Sequence, residues 1–289
     1  MRGLCAPVVL AAWLLAAWLL SADPRAAAGQ STEREVVLRI HPHVGDTIRG
    51  RLEQQVEMTA WSRTPGGDST LEMKSSMSML ALLRNIVEAS EDDATTLVVA
   101  IDSIALSAAG TPLPVGDARR QLQGKRMRMR VTSQGAMVML DAPDEMSADL
   151  QSALSHVPAT LPPRAVAVGE GWSQTMAVPI AGDPSGRGAT VRATFRLDSL
   201  SRGGDLAFVS MRGAVLRDSA GATAQGTKHL VTGTLTGGMT VDRKRGWIVD
   251  SRVSISVRSL MPRRTAASTA EPLHLQIRVT QRIRALEGR

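Results

Sequence analysis

The sequence predicts a mainly β protein: two similar antiparallel halves forming a curved sheet or open half-barrel, with one short helix and a proline-rich linker between them. Two patterns lead there. Apolar and polar residues alternate with period two over long stretches, which gives an extended strand one dry face and one wet face. A set of glycine-centred landmarks then recurs in the same order further along the chain, with a single helically spaced stretch between the two sets.

Residues 1–28 read as a signal peptide. Arg2 supplies the positive start, 4–20 the apolar run, and "PRAAAGQ" a small-residue cleavage site after Ala28. The run approaches the lower length of a membrane span, so an uncleaved anchor is the alternative. No second run of this kind follows, and the expectation is no stable membrane span after cleavage. The address expected is exported, periplasmic or extracellular, in a bacterium. Cys5 lies too early to be a lipoprotein cysteine, and it is the only cysteine of the chain. The mature chain therefore lacks disulfides, thiol nucleophiles and thiolate metal sites.

The first half is taken as 29–158. From 48 to 60, Ile48, Leu52, Val56, Met58 and Ala60 fall on one side of a strand and Arg49, Arg51, Glu53 and Glu57 on the other. "TPGGDS" (64–69) breaks this strand from the next, on which Leu71, Met73, Met77, Met79, Ala81 and Leu83 share a face. "EASEDDATT" (88–96) supplies a turn, and "LVVAIDSIALSA" returns as a third strand. In 125–131, Met127, Met129 and Val131 oppose Arg126, Arg128 and Arg130. In 141–158 the pattern changes: Met146, Leu150, Leu154 and Val157 recur at helical spacing, behind an Asp141 N-cap and ahead of Pro158. "ATLPPRAVAV" then reads as an extended linker.

The second half, 159–289, repeats the order. "VGDTI" at 44 matches "VGEGW" at 168, "LQG" at 122 matches "VTG" at 231, and Gly135 matches Gly246 at a turn between two strands. Val191, Ala193, Phe195 and Leu197 line one face of 189–200, "RGGD" turns, and "LAFVSMRGAVL" returns. Leu273, Leu275, Ile277 and Val279 alternate with polar residues near the end. Trp172, beside Gly171, reads as an apolar plug at the start of this half's first strand.

The leader, "VGDTI" before a long strand, "LQG" before a glycine turn, "LPPRAVAVGEGW" and "GGMTVDRKRGWIVDS" together resemble an uncharacterised family of secreted bacterial β proteins, domain of unknown function 6263. The resemblance would span most of 36–285, although Met and Arg stand here in place of many strand aromatics. It implies a fold and a location, and no activity.

The net charge is +7, and removal of the leader with Arg2, Arg25 and Asp23 leaves +6. Lysine occurs only at 74, 125, 228 and 244, so arginine carries the basic character. A basic surface of this kind is either simply solvated or drawn to an anionic membrane. Nucleic acid is not expected, because "DRKRG" (242–246) lacks the aromatic platforms that bases stack on.

Catalytic motifs are missing: there is no G-x-S-x-G, no HExxH and no P-loop. His41 and His43, with Asp46 close by, form the best metal-like group but lack a third ligand. Met77/Met79, Met127/Met129 and Met137/Met139 offer soft thioethers for Cu(I), yet the same spacing marks core residues on one strand face. The expectation is no metal and no cofactor. The function expected is that of a non-enzymatic envelope protein binding a lipid or other apolar small molecule in the sheet concavity. Met58, Met77, Met79, Met127, Met129, Trp172 and Phe195 are the candidate lining. The alternative is a structural or protein-interaction module of the envelope.

Overall fold

The computed structural model describes residues 35–63, 70–110, 115–143, 156–157, 160–178, 189–216, 230–261 and 273–286. The signal peptide expected at 1–28, the break expected at 64–69 and most of the helically spaced stretch lie outside these residues.

Twelve strands form one antiparallel sheet: β1 (Thr47–Arg63), β2 (Thr70–Ser90), β3 (Ala94–Ala109), β4 (Arg126–Thr132), β5 (Met137–Asp141), β6 (His156–Val157), β7 (Gly171–Val178), β8 (Ala189–Leu200), β9 (Leu206–Leu216), β10 (Leu230–Asp242), β11 (Trp247–Met261) and β12 (Leu273–Leu286). Among the described residues one helix, α1 (Val115–Leu122), joins β3 to β4. Period-two alternation produced these strands, and their turns use glycine where the backbone must enter positive φ. Gly135 (φ 85) turns β4 into β5, and Gly246 (φ 60) turns β10 into β11.

The spatial order is β6-β5-β4-β3-β2-β1-β12-β11-β10-β9-β8-β7. Six strands of the first half thus stand side by side, followed by six of the second in the same sense. The halves join where β1 pairs with β12, from Arg49 opposite Leu286 to Trp61 opposite His274. The sheet is curved and unclosed, because β6 and β7 occupy its two ends.

Two corrections to the sequence reading follow. The helix expected over 141–158 does not include its end: His156 and Val157 form β6, opposite Val138 and Met137. Val157 fits the helical spacing, but its backbone completes the sheet edge instead. Residues 144–155 lie outside the described part. Conversely, α1 was not foreseen. Its eight residues, VGDARRQL, hold few apolar positions, too few to establish a 3.6 period.

One turn proves the halves alike in backbone detail. Before β1, Asp46 N–H donates to His43 O (3.0 Å), and His43 N–H donates back to Asp46 Oδ2 (2.9 Å). Gly45 (φ 90) then donates to Val87 O of β2, and Val87 N–H to Asp46 O. Before β7, Glu170 N–H donates to Ala167 O (3.0 Å), and Ala167 N–H to Glu170 Oε2 (2.9 Å). Gly169 (φ 88) donates to Leu197 O of β8, and Leu197 N–H to Glu170 O.

The segment ahead of β1 acts as a strap. Ile40 N–H donates to Ser133 O at the β4–β5 turn, His41 N–H to Gly246 O at the β10–β11 turn, and Val36 bridges Val166 in the linker. Those turns belong to opposite wings of the sheet, so the strap ties the wings together at one end. Leu38 is 1% and Leu161 0% exposed, so the strap and the linker are both part of the buried core.

Candidate functional site

Alternation sorts the residues into an inner face and an outer face. On β4, Met127, Met129 and Val131 are buried inward, while Arg126, Arg128 and Arg130 are exposed outward. On β8, Val191, Ala193, Phe195 and Leu197 are all 0–1% exposed, and Arg192, Thr194, Arg196 and Asp198 face out. A charged exterior is the reverse of the apolar band of a membrane-spanning barrel.

All seven candidate residues belong to the inner face and to one apolar cluster. The cluster buries Met77, Met127, Met129 and Phe195, and Met58, Met79 and Trp172 pack against it, partly exposed. They fall in three groups. Met58, Met77 and Met79 sit on the central strands β1 and β2. Met129 lies on one wing, opposite Met139 of β5, and Met127 is opposite Val99 of β3. Trp172 stacks on its cross-strand partner Phe195 on the other wing (centroids 5.7 Å, interplanar 10°). The Trp172 indole N–H donates to Thr160 O (2.9 Å), fixing the linker against β7. The sequence reading of Trp172 as a plug matches this position.

The register sets Met58 in a row with residues that the sequence analysis did not count among the candidate lining. Met58 lies opposite Ile277, Ile277 opposite Val257, and Val257 opposite Gly233. This inner row crosses β1, β12, β11 and β10, and each member is partly exposed. The rows on either side are buried: Val56, Val279, Ile255 and Leu235 on one, Ala60, Leu275, Ser259 and Val231 on the other, all at 4–8%. Gly233 is closely packed, since a Cβ there would stand 2.6 Å from Ser256 O and 2.7 Å from Val215 Cγ2. The row depends on β1 meeting β12, a pairing between the two ends of the chain that no local pattern announces.

One polar group stands out beside this row. Ser259 is 8% exposed, and its buried Oγ has no hydrogen-bond partner among the described residues. A buried hydroxyl without a partner costs about 1–3 kcal/mol. Gln54, 7% exposed, adds a second polar side chain to the inner face.

His41 and His43 stand 5.8 Å apart between ring centroids, and His43 lies 3.7 Å from Asp46. Their neighbourhood is structural: His41 carries the strap contact to Gly246, and Asp46 closes the turn before β1. No group of three or more His, Cys, Asp or Glu able to hold a metal occurs among the described residues. Within them no helix is long and apolar enough to cross a membrane.

The Glu170 carboxyl is held below its ordinary pKa, first by the Ala167 backbone N–H and then by the Arg164 guanidinium, with which it forms an ion pair. Burial opposes the shift. This carboxylate closes a turn.

No family model matches the chain, and no curated protein matches it. Among solved structures, lipovitellin, described for its lipid–protein interactions, is similar over 82% of this chain at 10% identity and a TM-score of 0.40. This chain spans only 25% of lipovitellin. An outer membrane channel from Pseudomonas putida F1 is similar over 90% of this chain and 100% of its own length, at 12% identity and a TM-score of 0.23. Pseudomonas aeruginosa OpdQ is similar over 83% of this chain and 98% of its own, at 8% identity and a TM-score of 0.21.

Proposed function

We propose that this is a non-enzymatic protein of the bacterial envelope, exported by its N-terminal segment, that holds a lipid or other apolar small molecule against the inner face of the sheet. Relationship to domain of unknown function 6263 is part of the same proposal. The observation that carries it is the partly exposed row Met58–Ile277–Val257–Gly233 between two buried rows, with the unpaired Ser259 hydroxyl beside it. Apolar walls with one or two placed polar groups describe a site for an amphipathic guest. Methionine suits such a wall, because its unbranched thioether adapts to different shapes.

Native mass spectrometry of the protein isolated from its own envelope tests this, together with binding of a fluorescent fatty acid. Co-purifying lipid is expected. Ile277→Trp, which fills the row, should weaken fatty-acid binding at least tenfold while the melting temperature stays within a few degrees. A bare polypeptide mass and no saturable probe binding would overturn the proposal.

A second reading, an interaction module, draws on the free side of β7. This eight-residue strand ends the sheet and pairs only with β8 among the described residues. Such an edge is a ready site for strand addition. Stoichiometric capture of an envelope partner, lost when Thr175→Pro blocks the edge, would favour it.

A further inference from the structure

On the outer face, the β1–β12 junction brings arginines directly opposite one another. Arg51 faces Arg284, Arg252 faces Arg282, and Arg49 faces Arg84. Directly opposed like charges destabilise a sheet. Three carboxylates answer them. Glu53 lies 2.7 Å from Arg51, Asp250 makes a two-pronged contact with Arg282 (3.2 and 2.6 Å), and Asp102 lies 2.7 Å from Arg84. Arg49, Arg252 and Arg284 have no carboxylate partner among the described residues. The neighbour of Arg252 on β10 is Gly238, which offers no side chain to screen it.

These strands also frame a groove of ≈ 510 Å³. Arg51, Arg252 and Arg282 line it with Glu53, the hydroxyl residues Ser78, Ser107 and Thr280, and Leu80. Ser78 Oγ and Ser107 Oγ are already 2.7 Å apart, so both hydroxyls stand at one spot on the wall.

We propose that this groove is a binding site for a phosphoryl anion, held by Arg51, Arg252 and Arg282. Guanidinium forks match phosphate oxygens two at a time, and a doubly charged anion between them cancels the repulsion that the register imposes. Gln54, Met79 and Leu106 of the inner face also border the groove, but the three arginines belong to the outer face, and the site stands whether or not the row at Met58 and Ile277 holds a lipid. The same phosphoryl chemistry occurs in a lipid headgroup and in soluble phosphate compounds.

The test uses the mature protein with two probes, inorganic pyrophosphate by calorimetric titration and phosphatidylglycerol vesicles by co-sedimentation, at physiological salt. The double variant Arg51→Gln/Arg252→Gln should raise the pyrophosphate dissociation constant at least tenfold. Arg212→Gln, an exposed charge on β9 away from the groove, should change it less than twofold. Without ligand the double variant should melt no lower than the wild type, because opposed like charges have been removed. Pyrophosphate should raise the melting temperature of the wild type alone. Vesicle binding that pyrophosphate displaces and the double variant loses identifies a headgroup as the source, whereas pyrophosphate binding without vesicle binding identifies a soluble one. Equal losses in Arg212→Gln and the double variant would mean that net charge alone attracts the anion, and would overturn the site. Failure to bind either probe would do the same.

Discussion

Glu170 occupies in the second half the place that Asp46 occupies in the first: each carboxylate accepts a hydrogen bond from the backbone N–H three residues earlier, at 2.9 Å in both turns. The longer Glu side chain reaches the same donor and additionally pairs with Arg164, whereas in the first turn the carboxylate has His43 at 3.7 Å. Offset by 124, "VGDTI" and "VGEGW" are one turn written twice.

Glu170→Ala should destabilise the fold by about 1.5–3 kcal/mol, the range for a hydrogen bond to a charged group, with the exposed Arg164 pair adding little. The folded-state pKa of Glu170 is lowered, so its contribution is fully present above the ordinary carboxylate pKa. It disappears as pH falls through the lowered value. Urea unfolding of wild type and variant should therefore differ near neutrality and converge in acid. A difference that grew on acidification would contradict the assignment.

Gly246→Ala should cost far more than Gly45→Ala. A Cβ at Gly246 would stand 2.5 Å from His41 O and 2.6 Å from His41 C, pushing the strap off the β10–β11 turn. At Gly45 nothing lies within 4 Å, so only the positive φ resists, at roughly 1–2 kcal/mol. Denaturant melts of the two variants compare them directly, and equal losses would show that the strap does not depend on this contact.

Phe195→Ala should cost about 3–5 kcal/mol, since the ring is 1% exposed and stacked on Trp172. Trp172→Phe should cost less, about 1–3 kcal/mol, by removing the indole hydrogen bond to Thr160 O and part of the ring that packs beside Phe195. If the order of these two losses were reversed, the linker contact, rather than the stack, would be the stronger hold on this wing.

Ser259→Ala should raise the stability of the ligand-free protein by about 1 kcal/mol, because it removes a buried hydroxyl that has no partner. The same change should weaken binding of an amphipathic guest that uses that hydroxyl. A stability loss in the free protein would show that the hydroxyl is satisfied there.

The strands were legible because each keeps its alternation for many residues, as Met127, Met129 and Val131 do against three arginines. The methionines and Phe195 were correctly assigned to one face for the same reason. Period two states which residues share a face and is silent about which strands meet. The meeting of Met58, Ile277 and Val257 therefore carried no mark in the sequence, and neither did the arginine pairs across β12; both follow from register between distant segments. His156 and Val157 misled in the opposite way, since helical spacing continued into residues whose backbone serves the sheet edge.

The strap at Leu38 and Ile40 has a kinetic consequence. It is synthesised first among the described residues, yet its anchors at Ser133, Val166 and Gly246 arrive much later. Likewise β1 must wait for β12, at the far end of the chain, before its second edge is covered. Non-local closures of this kind are slow, because loop entropy is spent before contacts repay it. During that delay a 17-residue strand carrying Val56, Met58 and Ala60 presents an open edge, the part of a nascent β protein most prone to pair with the wrong neighbour. Its outward arginines and glutamates repel such neighbours, so the charged exterior also protects the chain before it has an exterior at all.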